Sequence, residues 1–388
     1  MRTALANGRV LTDRGFVDGH VVLIDDARIA AVLPAGDAQL GRATRRDLGG
    51  ALLLPGFIDV QVNGGGGLLF NDSRDVDTIR QIGAAHRQFG TTGFLPTLIS
   101  DDLGVVEEAM RAVDAAIEAR VPGVLGIHIE GPFLNVARKG VHDSSKFLEL
   151  DEQGIRLLTS LRRGKTLVTL APEMTTPRFI EKLSAAGIIV CAGHTDATYE
   201  EVREALDHGL QGFTHLFNAM SQMTSRQPGA VGAALDDPDS WCGIIVDGQH
   251  VDPVVLRIAL RCKRHDRFML VTDAMPSVGT SRKNFSLQGR SISVEGAACV
   301  DAAGVLAGSD TDMAGALRNA VTMLGLALPD AARMAGQHPA EFLGLGQEFG
   351  RIAPGFRANL VLMNEQFQVL ETWIDGEAQV ASSENLAV

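Results

Sequence analysis

The chain has 388 residues, 45% of them hydrophobic, which suits roughly two and a half domains of ordinary size, or one large barrel with a smaller module. Its 35 Lys and Arg against 47 Asp and Glu leave a net charge of −12, which excludes the basic face that non-specific nucleic-acid binding needs. Every apolar run falls short of the roughly 20 residues of a membrane span, and residues 1–15 hold no signal-like apolar stretch, so a cytoplasmic chain with no nucleic-acid or membrane partner is expected.

In chain order, residues 21–24 and 29–33 alternate as strands around the turn Asp25-Asp26-Ala27-Arg28. Short apolar runs follow at 57–62, 93–99, 124–129, 166–170, 188–192, 212–214, 242–246 and 268–272. Helical patterns lie between most of them, at 76–89, 105–119, 198–208 and 253–263. Eight strands interleaved with helices predict an α/β fold, a (β/α)8 TIM-like barrel. An open doubly wound sheet is the alternative. It would usually have fewer strands and a GxGxxG turn after the first, whereas this chain has Asn63-Gly64-Gly65-Gly66-Gly67 with no helix start behind it. That run is read as a flexible loop near a ligand.

From 282 to 306 the pattern alternates like strands, with turns at Gly289 and Gly304, and reads as an inserted hairpin. A helix over 312–324 closes the barrel, and strands return at 358–363 and 369–374. Strands at both ends predict a small β-sandwich domain from residues 1–53 and 348–388, around a barrel domain over 54–347. Only the last six residues read as a disordered tail. Cys191, Cys242, Cys262 and Cys299 form no CxxC pair, which suits a reducing cytoplasm rather than a disulfide framework.

Side chains just past the carboxyl ends of barrel strands converge on one mouth. Those positions hold Gln61, Asn63, Glu130, His194, His215, His250 and Asp273. Glu130, His194 and His215 offer one carboxylate and two imidazoles, the three-ligand pattern of a catalytic metal site with one open position. Asp273 would then face the water as general base. Taken singly, a strand-end histidine is more often a hydrogen-bonded structural residue, and an aspartate after a strand is often a cap or ion-pair partner. It is the four together that point to a site. His128 lies two residues before Glu130 and so shares its face. It is either a further ligand or a side chain that holds one in place.

The words around these residues are His128-Ile129-Glu130-Gly131-Pro132-Phe133, Gly193-His194-Thr195, Thr214-His215-Leu216-Phe217-Asn218-Ala219-Met220, Asp247-Gly248-Gln249-His250 and Thr272-Asp273-Ala274, with Pro55-Gly56-Phe57-Ile58-Asp59 ahead of them. In this order, over nearly the whole chain, the sequence resembles the N-acetylglucosamine-6-phosphate deacetylase branch of the amidohydrolase superfamily. The resemblance implies hydrolysis of the acetamide of N-acetyl-D-glucosamine 6-phosphate, in amino-sugar catabolism and cell-wall sugar recycling. It implies Glu130, His194 and His215 as metal ligands and Asp273 as acid and base. It places His142 on the substrate carbonyl, with Val141 beside it. Asn218, Ala219 and Arg226 match phosphate-side contacts. Asp247, Gly248, Gln249 and His250, and Leu306, Ala307 and Gly308, match substrate-contacting positions. It further implies a homodimer in which some phosphate contacts cross the subunit interface.

Superfamily members commonly carry an HxH pair where this chain has Gln61 and Asn63. Neutral amides are weak zinc ligands, so one divalent cation per chain is expected, Zn2+ ahead of Fe2+, Mn2+ or Co2+. Two readings compete with this one: deacetylation of another amino-sugar phosphate such as N-acetylgalactosamine 6-phosphate, and a catalytically silent scaffold of the same fold. The acidic net charge does not forbid an anionic substrate, since a few local donors suffice to bind a phosphate.

Overall fold

In the computed structural model, which describes residues 2–381, the apolar runs of the chain's middle align as eight parallel strands. The tail expected over the last six residues lies outside the described residues. In order around the sheet the strands are Phe57–Val62, Thr91–Ile99, Gly126–Glu130, Lys165–Leu170, Ile189–Ala192, Gly212–Phe213, Trp241–Ile244 and Phe268–Leu270. The sheet curls back on itself. Val62 and Ala274 form a parallel bridge, and the N–H groups of Asn63 and Gly64 donate to Ala274 O at 2.9 and 3.0 Å. The buried Asp59 side chain completes this seam, accepting Thr272 N–H at 3.3 Å and Thr272 Oγ1–H at 2.5 Å. Burial pushes its carboxyl up to about 7. The TIM-like barrel is therefore present, nearly closed, and the doubly wound alternative falls away.

Alternation along the strands decides what faces inward. Ile127 and Ile129 join the apolar cluster shared with the outer helices, so His128 and Glu130 point into the barrel. Several helices start where the sequence supplies a capping side chain. Asp75 accepts Thr78 N–H, Asp312 accepts Gly315 N–H, and Thr198 with Glu201 forms a reciprocal capping box. Helix Gly229–Asp236 escaped the sequence reading because seven of its eight residues are buried, which leaves no polar face to reveal a 3.6-residue period.

The chain ends form two more sheets. One has four strands (Arg28–Pro34, His20–Asp25, Arg2–Ala6, Thr44–Asp47). The other has six and draws on both ends (Glu377–Val380, Val369–Ile374, Leu360–Met363, Leu52–Pro55, Arg9–Thr12, Gly15–Val17). Leu5, Val22 and Ile24 of the first pack with Val10, Leu53, Leu360 and Trp373 of the second in one apolar core. The insert expected as a hairpin is a four-stranded antiparallel sheet: Asn284–Leu287, Arg290–Glu295, Ala298–Asp301 and Leu306–Ser309. Gly296, at φ +65°, makes the extra turn. Ser309 bridges Ala274, which ties the insert to the barrel rim.

The glycine run expected to be a flexible loop is built tightly instead. Gly64 and Gly65 pair with Leu69 and Leu68, and a Cβ on Gly64 would lie 2.3 Å from Leu68 O. His86, fully buried on helix Val76–Arg87, places Nε2 2.8 Å from Gly64 O, and burial lowers its imidazole to about 4. The folded chain thus holds this histidine neutral where the unfolded chain binds a proton. Stability contributed by His86 is complete above about pH 6.5 and is lost as the pH falls towards about 4, by roughly 3 kcal/mol in all. His86→Gln, which keeps an N–H donor but cannot titrate, should flatten denaturant stability between those pH values. An unchanged slope would remove His86 from the account.

Candidate active site

Glu130 is the last residue of its strand, and His194, His215 and Asp273 each lie two or three residues past theirs. The last three adopt positive φ, +50°, +34° and +53°, an uncommon conformation for residues with a Cβ. Neighbours hold each strained carbonyl. Asn135 N–H donates to His194 O at 3.0 Å, and Ser309 N–H to Asp273 O at 2.9 Å. Asn218 Nδ2–H donates to His215 O at 3.1 Å. The turn at each strand end swings its side chain over the mouth.

There Glu130 Oε1 lies 3.1 Å from His194 Nε2 and 3.0 Å from His215 Nε2, and the two nitrogens are 3.2 Å apart. His194 Nδ1–H donates to Arg138 O at 2.9 Å, which fixes the ring so that Nε2 carries the lone pair. Two imidazole nitrogens and a carboxylate oxygen crowded on one point have the donor chemistry of a divalent-cation site. Burial opposes the charge on Glu130, but His194 and His215 outweigh it and hold the carboxyl well below its ordinary range. His128 stands outside this cluster. Its Nε2 is 2.8 Å from Thr169 Oγ1 and its Nδ1 3.3 Å from Thr97 Oγ1.

Gln61 and Asn63, to which the sequence reading gave no positive role, orient Asp273. Gln61 Nε2–H donates to Asp273 Oδ1 at 3.0 Å and Asn63 Nδ2–H at 2.7 Å. The same Gln61 amide reaches Glu130 Oε2 at 3.3 Å. Burial, and then the charge of Glu130, push the Asp273 carboxyl up to about 6. His142 is buried, with its ring centroid 4.3 Å from that of His194, and burial lowers its imidazole to about 3.

These groups open into a cavity of about 430 Å3. Of the expected substrate contacts, Val141, His142, Asn218, Ala219, His250, Leu306 and Gly308 line it. The rest do not. Ala307 alternates away from Leu306 and Gly308 into the apolar cluster of the insert. Asp247 is buried behind His250, with Oδ2 2.6 Å from His250 Nδ1. Its Oδ1 accepts the N–H groups of Gln249 and His250 at 2.8 and 2.9 Å, so it anchors the loop instead of facing the cavity. Gly248 and Gln249 sit exposed on that loop, and Arg226 is exposed outside the lining. Arg138, Ile99 and Met275 line the cavity without having been expected to. A larger groove of about 650 Å3 along helix Leu103–Glu118 holds none of these groups.

Comparison with known proteins agrees with this geometry. A model of the Amidohydrolase family matches residues 52–378. The chain is 46% identical to the N-acetylgalactosamine-6-phosphate deacetylase of Shewanella sp. (strain ANA-3), over 96% of this chain and 95% of that one. It is 34% identical to the crystal structure of N-acetylglucosamine-6-phosphate deacetylase from Pasteurella multocida, with a TM-score of 0.94 over 98% of this chain and 100% of that one. A mutant of the Mycobacterium smegmatis N-acetyl-D-glucosamine-6-phosphate deacetylase, in complex with N-acetyl-D-glucosamine-6-phosphate, is 32% identical with a TM-score of 0.88, over 97% and 98% of the two chains.

Proposed function

The chain belongs to the amidohydrolase family, and on that premise we propose that it hydrolyses the acetamide of N-acetyl-D-glucosamine 6-phosphate to D-glucosamine 6-phosphate and acetate. The observation that carries this reading is the convergence of Glu130, His194, His215, Asp273 and His142 in one cavity. Glu130, His194 and His215 would hold one divalent cation, Zn2+ ahead of Fe2+, Mn2+ or Co2+, which supplies the Lewis acidity that makes water reactive near neutral pH and an amide carbonyl electrophilic.

The chain's own residues then move the protons. Asp273 accepts the proton of the attacking water at Oδ2, because Gln61 and Asn63 occupy Oδ1. His142, held neutral by burial, donates an N–H to the acetamide oxygen as negative charge builds there. Asp273 passes its proton to the amide nitrogen, the C–N bond breaks, and the amine and acetate depart. The backbone N–H at Ala219 and the His250 ring offer donors for the 6-phosphate, while Asn218, whose side-chain amide donates to His215 O and Leu216 O, shapes the turn that presents them. Arg226, exposed on its own chain, is assigned to the phosphate in the site of a second copy, in a homodimer. A cytoplasmic setting suits the four unpaired thiols. Among the described residues no helix is long and apolar enough to cross a membrane.

The 46% identity to a galactosamine-type relative favours a second reading, N-acetylgalactosamine 6-phosphate as the preferred substrate. The two sugars differ in the orientation of one hydroxyl. The test is acetate release from both sugar phosphates and from their unphosphorylated forms. The proposal expects turnover of the gluco phosphate at a higher kcat/KM than its unphosphorylated sugar, and Arg226→Ala to raise KM for the phosphate while kcat stays close to wild type. A kcat/KM higher for the galacto phosphate selects the second reading. No acetate from any of the four overturns both.

A further inference from the structure

We propose that Gln288 and Ser100 are positioning residues that fix His142 as its Nε2–H tautomer, so that the inserted sheet sets the group facing the acetamide oxygen. The inference rests on the deacetylase reading of this site for the role of His142. The tautomer itself follows from the fold alone.

Gln288 and Gly289 form the two-residue turn between paired Leu287 and Arg290. Both have positive φ, +48° and +79°, the geometry of a hairpin turn that favours Asn, Asp or Gly at its first position. Glutamine is a poor choice for such a turn on backbone grounds. Its side chain accounts for it. Oε1 accepts Asp143 N–H at 2.7 Å, and Nε2–H donates to Ser100 O at 2.8 Å. One residue of the insert therefore ties the loop after the third barrel strand to the end of the second. Apolar packing repeats the tie, because Ile99 and Val141 share a cluster with Leu287, Ile292 and Ala307. Positions 99 and 141 are held by packing, and positions 100 and 143 by hydrogen bonds.

Between these clamped segments, Ser100 meets the ring of His142. Ser100 N–H donates to Nδ1 at 3.4 Å, and Ser100 Oγ lies 2.8 Å from the same nitrogen. A backbone N–H can only donate, so Nδ1 carries the lone pair and the proton of the neutral ring lies on Nε2. The hydroxyl then also donates to Nδ1. The ring presents an N–H donor to the cavity that His142 lines, which is what a growing negative charge on the acetamide oxygen requires.

The test joins kinetics to nitrogen NMR of 15N-histidine protein, recorded metal-free and metal-loaded, with His142→Gln to assign the signals. Wild type should show an unprotonated Nδ1 and a protonated Nε2 on His142. Gln288→Ala and Ser100→Ala should each lower kcat about tenfold or more with KM nearly unchanged, and Ser100→Thr should restore most of it. Gln288→Gly relieves the turn but loses the tie, and should match Gln288→Ala. A protonated Nδ1 in wild type, or wild-type kcat in a folded Gln288→Ala, overturns the inference. So does recovery of activity in Gln288→Gly, which would make Gln288 a matter of turn strain alone. Should Gln288→Ala fail to fold, Ser100→Ala and the wild-type spectrum still decide. If wild type releases no acetate, the deacetylase reading fails while the tautomer remains measurable.

Discussion

Asp273→Asn should lower kcat by about 10²–10⁴-fold, the usual weight of a positioned acid and base. The loss should appear equally in kcat and kcat/KM, because the group acts in the transition state and not in substrate binding. Asparagine nearly matches the shape of aspartate and still offers one oxygen to Gln61 and Asn63, which donate to Oδ1 at 3.0 and 2.7 Å. What it cannot do is take a proton from water and return it to the amine. Metal content should stay at the wild-type level, since Asp273 is not part of the Glu130, His194 and His215 cluster. A loss below about tenfold would show that another group carries the proton.

Glu130→Gln is expected to act on the cation itself. Glu130 Oε1 is the point both imidazoles approach, at 3.1 and 3.0 Å. The substitution removes the only negative charge of the cluster and leaves a neutral amide, a weak ligand beside imidazole. Changes in groups that merely support a ligand typically cost roughly 10–100-fold in metal affinity, and loss of a ligand should exceed that. The variant should bind metal too weakly to survive dialysis and release acetate no faster than chelated wild type. Retention of one equivalent with near-normal turnover would contradict the assignment.

How far the sequence carried depends on whether a signal is local. Barrel strands were legible because runs such as Ile189–Ala192, buried at every position, read as continuous apolar segments. Glu130, His194, His215 and Asp273 were legible because strand ends of a barrel share one mouth. The hydrogen bonds of Gln61 and Asn63 to Asp273 were not, because they span 212 and 210 residues and close only when the first and last barrel strands meet. Gln288 gave no signal, since its partners Ser100 and Asp143 lie 188 and 145 residues away. Ala307 was placed in the site with its neighbours, yet strand alternation sends it the other way. Arg226 falls outside the lining of its own chain's cavity. A segment-level match does not resolve which side chain faces the ligand, or from which copy.

The most direct test of the account is a titration of metal-free protein with Zn2+, reading bound metal and acetate release from N-acetyl-D-glucosamine 6-phosphate in the same sample. The account predicts that acetate release rises from background and saturates at one equivalent per chain, since Gln61 and Asn63 stand where a second metal would need imidazoles. Full activity without metal, activity that requires two equivalents, or a saturated site that releases no acetate would contradict it.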